Sequence, residues 1–251
     1  MAKKDFKLVV VQGIKGGVGC TTITSNLAVA LTKVGFNVLV FDFCKNNDLR
    51  LHFGMGLDRF EGFHKSLIEN TPWLNSAFSD KNETVFFPFG QVPHTDLNSL
   101  NSLDPNYFND VLNQIDFESK KTIVLVDYPS YSSVSDCYFN LDFDLKLTVG
   151  TCEVSSYSKL STKFRTTSAK DLFVINRYNP ENKLESDIRT LISTDLIQLK
   201  LLGVIFEDEF IHQALAQNTT VVDLNEFYKS SKDFYHLAMR LNASLFDENG
   251  V

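Results

Sequence analysis

A run of glycines followed by two threonines is the part of this chain whose residue types and spacing most clearly indicate chemistry. Residues 12–22 read QGIKGGVGCTT. Gly16, Gly17 and Gly19 carry no side chains, so backbone N–H groups there can converge on a phosphate, and the start of a following helix adds partial positive charge. A plain glycine-rich turn is the alternative, but the position between a predicted strand and a predicted helix favours a phosphate-binding loop. Thr21 is placed to offer its hydroxyl to Mg²⁺.

Two residues of this run depart from the strict phosphate-loop pattern, G-x-x-x-x-G-K-[ST]. Ile14 stands where the pattern has its first glycine, and Cys20 stands where it has its lysine. A neutral thiol is a poor donor to a polyphosphate, and losing a charge-assisted hydrogen bond costs about 1.5–3 kcal/mol, roughly ten- to a hundredfold in affinity. The sequence therefore predicts a nucleotide site that is weakened by these changes and not abolished.

Short apolar runs rich in β-branched residues alternate with helical patterns along the whole chain. The runs are continuous, as is typical of a parallel sheet buried on both faces. The predicted strands are residues 6–11, 37–41, 122–126, 145–149, 172–175 and 202–206, and 84–89 is a further strand that its proline limits to a sheet edge or a strand end. We expect an α/β fold, a doubly wound, mostly parallel sheet with helices on both faces.

The first two strands are separated by one helix. Ile23, Leu27, Leu31 and Val34 recur at helical spacing, and Gly35 follows where a helix end favours a left-handed residue. The unit is a strand–loop–helix–strand crossover, right-handed by default. The chain shows no internal repeat, low-complexity tract or linker, so we expect a single domain over residues 1–251, with a final helix at about 227–245.

Composition limits the possible partners. The net charge is −7, with 24 basic and 31 acidic residues, whereas a protein that grips duplex DNA normally shows a basic face. No apolar run approaches the roughly 18 residues of a membrane span. Four cysteines form no C-x-x-C pair, and the amino-terminal residues show no signal-peptide pattern, so a reducing cytoplasm is the expected location.

The run KGGVG-x-TT resembles the deviant Walker A motif of the ParA/MinD superfamily, the SIMIBI class of P-loop NTPases. The resemblance implies that Lys15 reaches across a homodimer to the nucleotide of the partner subunit. It also implies that the loop holds the phosphates of ATP through Lys15, Gly16, Gly17, Val18, Gly19, Cys20, Thr21 and Thr22.

The same resemblance extends to the magnesium and catalytic residues. FDFCKNND follows the second strand where the superfamily has switch I, and TIVLVDYP resembles its Walker B strand, with Pro129 opening switch II. The implied magnesium residues are Thr21, Asp42 and Asp127, and the implied catalytic residues are Lys15, Asp42 and Asp127. Switch I of the superfamily usually carries D-x-D, whereas here the second position is Cys44. A thiol with a pKa near 8.5 cannot replace a carboxylate at neutral pH, so we expect slow or absent hydrolysis.

The adenine side is implied by two later motifs. VINRYN lies where the superfamily reads the base, which makes Asn176 and Arg177 candidates. GVIFEDE matches the later adenine-side loop and adds Glu207 and Asp208. The choice of ATP over GTP rests on this resemblance alone.

Within the superfamily the chain is most similar to the BcsQ branch, which belongs to bacterial cellulose synthesis and secretion. Residues 11–53 carry most of this likeness, and LRLHFG and PFGQ, which are not phosphate motifs, distinguish the branch. The implied partners are a second copy of the chain, a BcsR-type small protein, and membrane-bound cellulose synthase or secretion components. By this resemblance the protein would be cytoplasmic, recruited peripherally to the inner membrane by partners and not inserted itself. The alternative is a ParA/MinD-type partitioning or positioning ATPase.

The cysteines and aromatic residues leave other possibilities open. Cys20 and Cys44 are predicted to approach each other at the carboxyl ends of their strands, where a redox switch is one hypothesis. An iron–sulfur site of the nitrogenase type could use Cys137, but no cysteine between 45 and 136 could supply a second ligand. The aromatic-rich segment 58–114 is expected to cover the sheet, with a partner surface as the alternative.

Overall fold

Eight strands form one sheet in a computed structural model that describes residues 6–115, 117, 121–133, 138–164 and 168–246. The strands are β1 (Phe6–Gly13), β2 (Asn37–Asp42), β3 (Phe78–Ser79), β4 (Val85–Phe87), β5 (Thr122–Tyr128), β6 (Leu145–Gly150), β7 (Asp171–Tyr178) and β8 (Lys200–Phe206). Their order is β3-β4-β2-β5-β1-β6-β7-β8. All neighbours are parallel except β3, which runs antiparallel to β4. The predicted α/β fold is confirmed.

Helices connect the parallel strands. They are α1 (Cys20–Lys33), α2 (Leu49–His52), α3 (Phe63–Ile68), α4 (Tyr107–Asn113), α5 (Val154–Lys163), α6 (Lys183–Asp195), α7 (Glu209–Ala216), α8 (Val221–Leu224) and α9 (Lys229–Phe246). Two 3₁₀ turns span Trp73–Ser76 and Leu97–Ser102. Among the described helices, none is both long and apolar enough to cross a membrane.

The predicted strands all occur, and most extend further toward their carboxyl ends than the apolar runs indicate. β1 runs on to Gly13 and β7 to Tyr178, because polar residues at these ends still pair in the sheet. Pro88 follows β4 directly, as predicted for a strand end, while β3 covers the outer edge of β4. α1 ends at Lys33, and Gly35 has a φ of 99°.

Alternate residues of the strands face two separate cores. Val9 and Val11 pack in a cluster with residues of α1 and α9, whereas Phe6 and Leu8 pack in a second cluster with residues of α3 and α4. This two-residue alternation is the geometry of an extended strand. Both faces of the central strands are therefore covered, as the unbroken apolar runs indicate.

The aromatic-rich middle segment supplies Phe63, Phe87 and Phe108 to the second core. Phe41 stacks on Phe87 with ring centroids 4.3 Å apart and meets Phe63 edge-on at 5.4 Å. Phe108 packs against both Phe41 and Phe43, at 4.9 Å and 4.8 Å. The expectation that this segment covers the sheet is confirmed.

The first helix is held by the last elements of the chain. The buried Asn26 side chain accepts a hydrogen bond from the backbone N–H of Val221 at 2.8 Å. Phe36, just after α1, stacks on Phe246 at the end of α9 with centroids 5.9 Å apart. β1 itself lies between β5 and β6, so the loop after β1 leaves the sheet near its centre.

Candidate functional site

The glycine-rich loop joins β1 to α1 at the carboxyl edge of the sheet. Gly17 and Gly19 have φ angles of 77° and 86°, in the left-handed region that glycine adopts without steric cost. A Cβ added to Gly16 or Gly17 would meet no atom within 4 Å. The space directly over this part of the loop is open.

The loop amides are available for a ligand. Within the described part of the chain, none of the backbone N–H groups of residues 15–22 donates to a protein acceptor. The first amides of a helix lack internal partners, and the helix dipole adds partial positive charge there. An arrangement of this kind fits phosphate oxygens.

The two unusual loop residues both face the protein. The Cys20 thiol donates to the carbonyl oxygen of Val11 at 3.3 Å, and burial, with a contribution from Asp127, raises its pKa well above its usual value. Ile14 is 2% exposed, and its N–H donates to the carbonyl of Val149 at 2.8 Å. Cys20 can therefore contribute its backbone N–H to a phosphate, while its neutral thiol is engaged beneath the loop.

Lys15 is held by an acidic residue of its own chain. Its Nζ lies 2.7 Å from the Glu153 carboxylate, just before α5. The hydrogen bond from Lys15 lowers the pKa of Glu153. Sequence reasoning missed Glu153, because no motif around it signals a contact with a residue 138 positions earlier.

Two aspartates stand side by side at the ends of neighbouring strands. Asp42 of β2 pairs in register with Asp127 of β5, and both side chains are fully buried. The Asp42 carboxylate accepts hydrogen bonds from the N–H groups of Cys44 at 2.8 Å and Leu49 at 3.3 Å. Burial, followed by the charge of Asp127, raises the pKa of Asp42.

Asp127 is the less satisfied member of this pair. Neither carboxylate oxygen has a hydrogen-bond partner of normal geometry among the described residues. Burial raises its pKa, and the nearby Thr21 hydroxyl partly offsets that effect. Buried carboxylates without partners are costly, so this position fits a cation. The sequence-predicted residues Thr21, Asp42 and Asp127 are brought together, and they could hold a magnesium ion, which would neutralise the charge of the carboxylates.

Cys44 lies beside the two aspartates. Its Sγ is 3.7 Å from the carbonyl oxygen of Asp127, and burial, followed by the charge of Asp127, raises its pKa well above the usual value. Without a bound cation the Cys44 thiol is uncharged at pH 7. It therefore does not provide the negative charge that a carboxylate would have at this position. Because Val11 and Asp127 also pair in register, the thiols of Cys20 and Cys44 lie over neighbouring positions of β1 and β5.

The branch-specific segments support the loop after Asp42. LRLH forms α2, whose first amide binds Asp42. In PFGQ the N–H of Gly90 donates to the side chain of Asn47 at 3.2 Å. Gly62, before α3, lies so close to Gly90 that a Cβ there would be 2.0 Å from the Gly90 nitrogen. These motifs therefore position the residues that follow β2.

Asn176 and Arg177 are hydrogen-bonded to the glycine-rich loop. Asn176 is buried, and its Nδ2 donates to the carbonyl of Val18 at 2.8 Å. The Arg177 guanidinium donates to the carbonyl of Gly17, and its backbone has a φ of 54°. The predicted base-reading residues are thus joined to the loop itself.

The two candidates of the later adenine-side motif, Glu207 and Asp208, have different surroundings. Asp208 caps α7 by accepting from the N–H of Phe210 at 3.0 Å, and it also accepts from Ser230 at 3.3 Å. Glu207 instead lines a cavity of about 230 Å³. The other lining residues are Tyr178, Asn179, Pro180, Glu181, Phe206 and Lys229. Of these lining residues sequence reasoning named only Glu207 as a candidate, although Tyr178 and Asn179 lie within the predicted VINRYN motif.

One more residue links the loop region to switch II. The buried side chain of Gln12 donates to the carbonyl of Pro129 at 2.6 Å. A glutamine at a strand end carries no periodic signal, so sequence reasoning missed this contact. Of the remaining cysteines, Cys152 is buried in the core as expected, whereas Cys137 lies outside the described residues.

Comparisons with known proteins identify a family and a fold for this chain. A family model described as cellulose biosynthesis protein BcsQ matches residues 6–241. The BcsQ protein of Escherichia coli (strain K12) is 38% identical over 81 residues, 32% of this chain and 32% of that protein. The septum site-determining protein MinD of Buchnera aphidicola subsp. Baizongia pistaciae is 28% identical and covers 94% of this chain and 90% of its own.

A solved structure shows the same fold over nearly the whole chain. MinD from Pyrococcus horikoshii OT3, complexed with Mg-ADP, superposes with a TM-score of 0.78 at 21% identity, covering 98% of this chain and 100% of that one. The nucleotide and magnesium belong to that protein. At this identity the likeness establishes the fold.

Proposed function

Since the chain belongs to the cellulose biosynthesis protein BcsQ family, within the ParA/MinD superfamily, we propose that it is an ATP-binding, dimerising regulatory or assembly protein of cellulose synthesis and secretion. Its partners would be a second copy of itself, a BcsR-type small protein and membrane-bound synthase or secretion components. It would act in the cytoplasm as a single domain, recruited to the inner membrane by those partners. The alignment with the E. coli relative spans 32% of that protein.

The observation that carries nucleotide binding is the pairing of free loop amides with an unpartnered carboxylate. The amides of residues 15–22 can donate to phosphates, and the buried Asp127 oxygens lack a partner among the described residues. A nucleotide with its Mg²⁺ would satisfy both at once. The ATP phosphates would lie against residues 15–22 and Mg²⁺ near Thr21, Asp42 and Asp127.

The base would enter the cavity that Glu207 and Phe206 line. Tyr178 and Pro180 also line it, and the Lys229 ammonium lies 3.8 Å from the Phe206 ring centroid. An aromatic ring, a proline and a neighbouring cation can hold a flat heteroaromatic ring. Asn176 would contact the base only if its side chain gave up the hydrogen bond that it donates to the carbonyl of Val18.

Dimerisation would depend on Lys15. Its ammonium now pairs with Glu153, whose side chain is 52% exposed, so solvent can replace that contact at small cost. A released Lys15 could contact the phosphates of a partner's nucleotide and supply the positive charge that Cys20 does not.

Hydrolysis would be slow or absent. Phosphoryl transfer depends on positioning and on stabilising the charge of the transition state. Here Cys20 brings no cation to the phosphates, and Cys44 brings a neutral thiol where a carboxylate is expected to orient water. Asp42 and Asp127 would still organise the metal, so the ATP-bound dimer would be long-lived.

The proposal is tested by light scattering after size-exclusion chromatography, with analysis of nucleotide retained by the purified chain. We expect a monomer without nucleotide and a dimer with saturating Mg-ATP. Lys15→Ala should bind ATP yet remain monomeric, whereas the control Lys183→Ala, at an exposed position of α6, should dimerise normally. Absence of bound nucleotide would overturn the binding site, and a monomer at saturating ATP would overturn the dimer.

A further inference from the structure

A cavity of about 380 Å³ lies between α5 and the residues that follow β5. One face of α5 lines it, since the four residues concerned are spaced by three or four positions, and these are Ser158, Lys159, Thr162 and Lys163. Tyr131, Ser132 and Ile14 complete the lining. The proposed nucleotide site does not use this cavity, and its size is that of a binding site.

The cavity carries two positive charges that the protein does not neutralise. Lys159 and Lys163 are exposed, and neither forms an ion pair with a carboxylate of the described residues. By contrast, the ammonium groups of Lys15 and Lys33 lie 2.7 Å and 2.9 Å from a carboxylate. The whole chain has a net charge of −7, so this cavity is a local basic site on an acidic protein.

Tyr131 gives the cavity an aromatic surface and positions one of the lysines. The Lys163 ammonium lies 4.6 Å from the centroid of the Tyr131 ring, and Tyr131 itself meets Phe164 edge-on at 6.2 Å. A cation–π contact holds an ammonium in place without cancelling its charge. Ile14, which is 2% exposed, adds a buried apolar side chain to the lining. The cavity therefore combines cations, hydroxyl groups and apolar surface.

We propose that this cavity is the docking site for an acidic segment of a partner protein, whose carboxylates contact Lys159 and Lys163 and whose apolar side chains pack on Tyr131. Complementary charge of this kind selects a partner and fixes its orientation. Two lysines in a concave site are fewer than the four to eight basic residues typical of lipid-binding clusters. The inference deepens the proposed function and rests on it, because that function requires partner proteins.

The cavity is built from elements that also carry the proposed phosphate loop. The N–H of Tyr131 donates to the carbonyl of Gly13 at 3.0 Å, and Ile14 directly precedes Lys15. α5 begins immediately after Glu153, whose carboxylate holds Lys15. A docked segment would therefore contact both the glycine-rich loop and the helix next to the Lys15 ion pair.

A fluorescently labelled peptide of alternating glutamate and leucine is the probe, and its binding to the full, nucleotide-free chain is followed by fluorescence anisotropy. We expect binding that weakens as the salt concentration rises, and much weaker binding of a matched peptide with glutamine in place of glutamate.

A double variant tests the two lysines. Lys159→Gln combined with Lys163→Gln should weaken binding of the acidic peptide about five- to tenfold, because two exposed ion pairs are lost. The control combines Lys183→Gln with Lys200→Gln, which removes the same charge from exposed positions outside the cavity. It should bind the peptide as the wild-type chain does.

The proposal is overturned if the glutamine peptide binds equally well, or if the two double variants bind the acidic peptide alike. Two other occupants are tested on the same samples. Without peptide binding, sedimentation with phosphatidylglycerol vesicles that depends on Lys159 and Lys163 would assign the cavity to a lipid surface. Without peptide binding, loss of the Mg-ATP dimer in the Lys159 and Lys163 variant would assign it to a second copy of the chain. Either result overturns the proposal.

Nucleotide binding is measured separately, so that the two proposals can fail independently. ATP binding without peptide binding overturns the docking site alone. Peptide binding without ATP binding overturns the proposed function alone.

Discussion

At the proposed phosphate loop, Cys20 removes a charged side chain without disturbing the backbone. Its thiol donates to Val11 beneath the loop, and the glycines above it keep the left-handed angles of a phosphate cradle. The missing element is a charge, and the backbone geometry is intact. Affinity and turnover should therefore respond separately to changes at this site.

Cys20→Lys tests the cost of that missing charge. A lysine here can add a charge-assisted bond to the phosphates, so we expect ATP affinity to rise about ten- to a hundredfold. Isothermal titration calorimetry measures the change, with Cys152→Ser as the matched cysteine control. Unchanged affinity would show that the phosphates lie out of reach of position 20.

Glu153→Gln tests the ion pair that holds Lys15. The pair is solvent-exposed, so its loss should lower the ATP concentration for half-maximal dimerisation by about two- to fivefold. Light scattering across an ATP titration measures it, and Glu69→Gln, which removes the Lys65–Glu69 pair, is the control. A higher ATP requirement would mean that Glu153 assists the dimer instead of restraining Lys15.

At the scale of elements, two glycines join α3 to the segment that follows β4. A Cβ on Gly62 would lie 2.0 Å from the backbone nitrogen of Gly90, and backbone cannot move aside cheaply. Gly62→Ala should lower the free energy of unfolding by about 2–3 kcal/mol. Gly16→Ala, whose Cβ meets nothing within 4 Å, should leave it nearly unchanged. Denaturant unfolding compares the two, and equal effects would contradict the close approach.

A second element-scale feature is the buried imidazole of α3. His64 stacks on Phe89 with centroids 4.1 Å apart, meets Phe43 edge-on at 4.7 Å, and neither ring nitrogen has a partner among the described residues. Burial lowers the pKa of His64 to about 3, whereas an unfolded histidine has a pKa near 6.5.

The unfolded chain thus binds the extra proton between these pH values, so stability is full above pH 6.5 and falls as the pH is lowered. When the pH is lowered from 7 to 5, the free energy of unfolding should fall for both proteins. We expect the fall to be about 2 kcal/mol smaller for His64→Phe than for wild type. His94→Gln, an exposed histidine, is the control. Equal losses in wild type and His64→Phe would show that His64 is protonated without unfolding.

The parts of this fold that could be predicted from the sequence are those that depend on patterns within a few neighbouring residues. β1, β5 and the loop between β1 and α1 follow from continuous apolar runs and adjacent glycines, which act within a few residues. Glu153 and Gln12 could not be predicted, because each contact joins residues more than a hundred positions apart. The two-residue strand β3 has no periodicity to detect, and its pairing with β4 comes from tertiary packing.

For the whole molecule, charge distinguishes the proposed function from a ParA-type partitioning ATPase. With a net charge of −7, the chain should show no salt-dependent binding to duplex DNA in the presence of Mg-ATP. Electrophoretic mobility shift across a salt series measures this, with the nucleotide-free chain as reference. ATP-dependent binding that weakens steeply with salt would favour the partitioning role.

The position of β1 in the sheet also has a consequence for synthesis. Phe6 of β1 pairs with Thr122, Val9 pairs with Leu145, and Asn26 of α1 binds Val221. The residues of the glycine-rich loop leave the ribosome well before both neighbours of their strand and the support of their helix. Pairings over such long separations form slowly and expose apolar strands meanwhile. A nascent chain would therefore complete the proposed nucleotide site only after Val221 has emerged, so a product truncated before α8 should not compete for ATP.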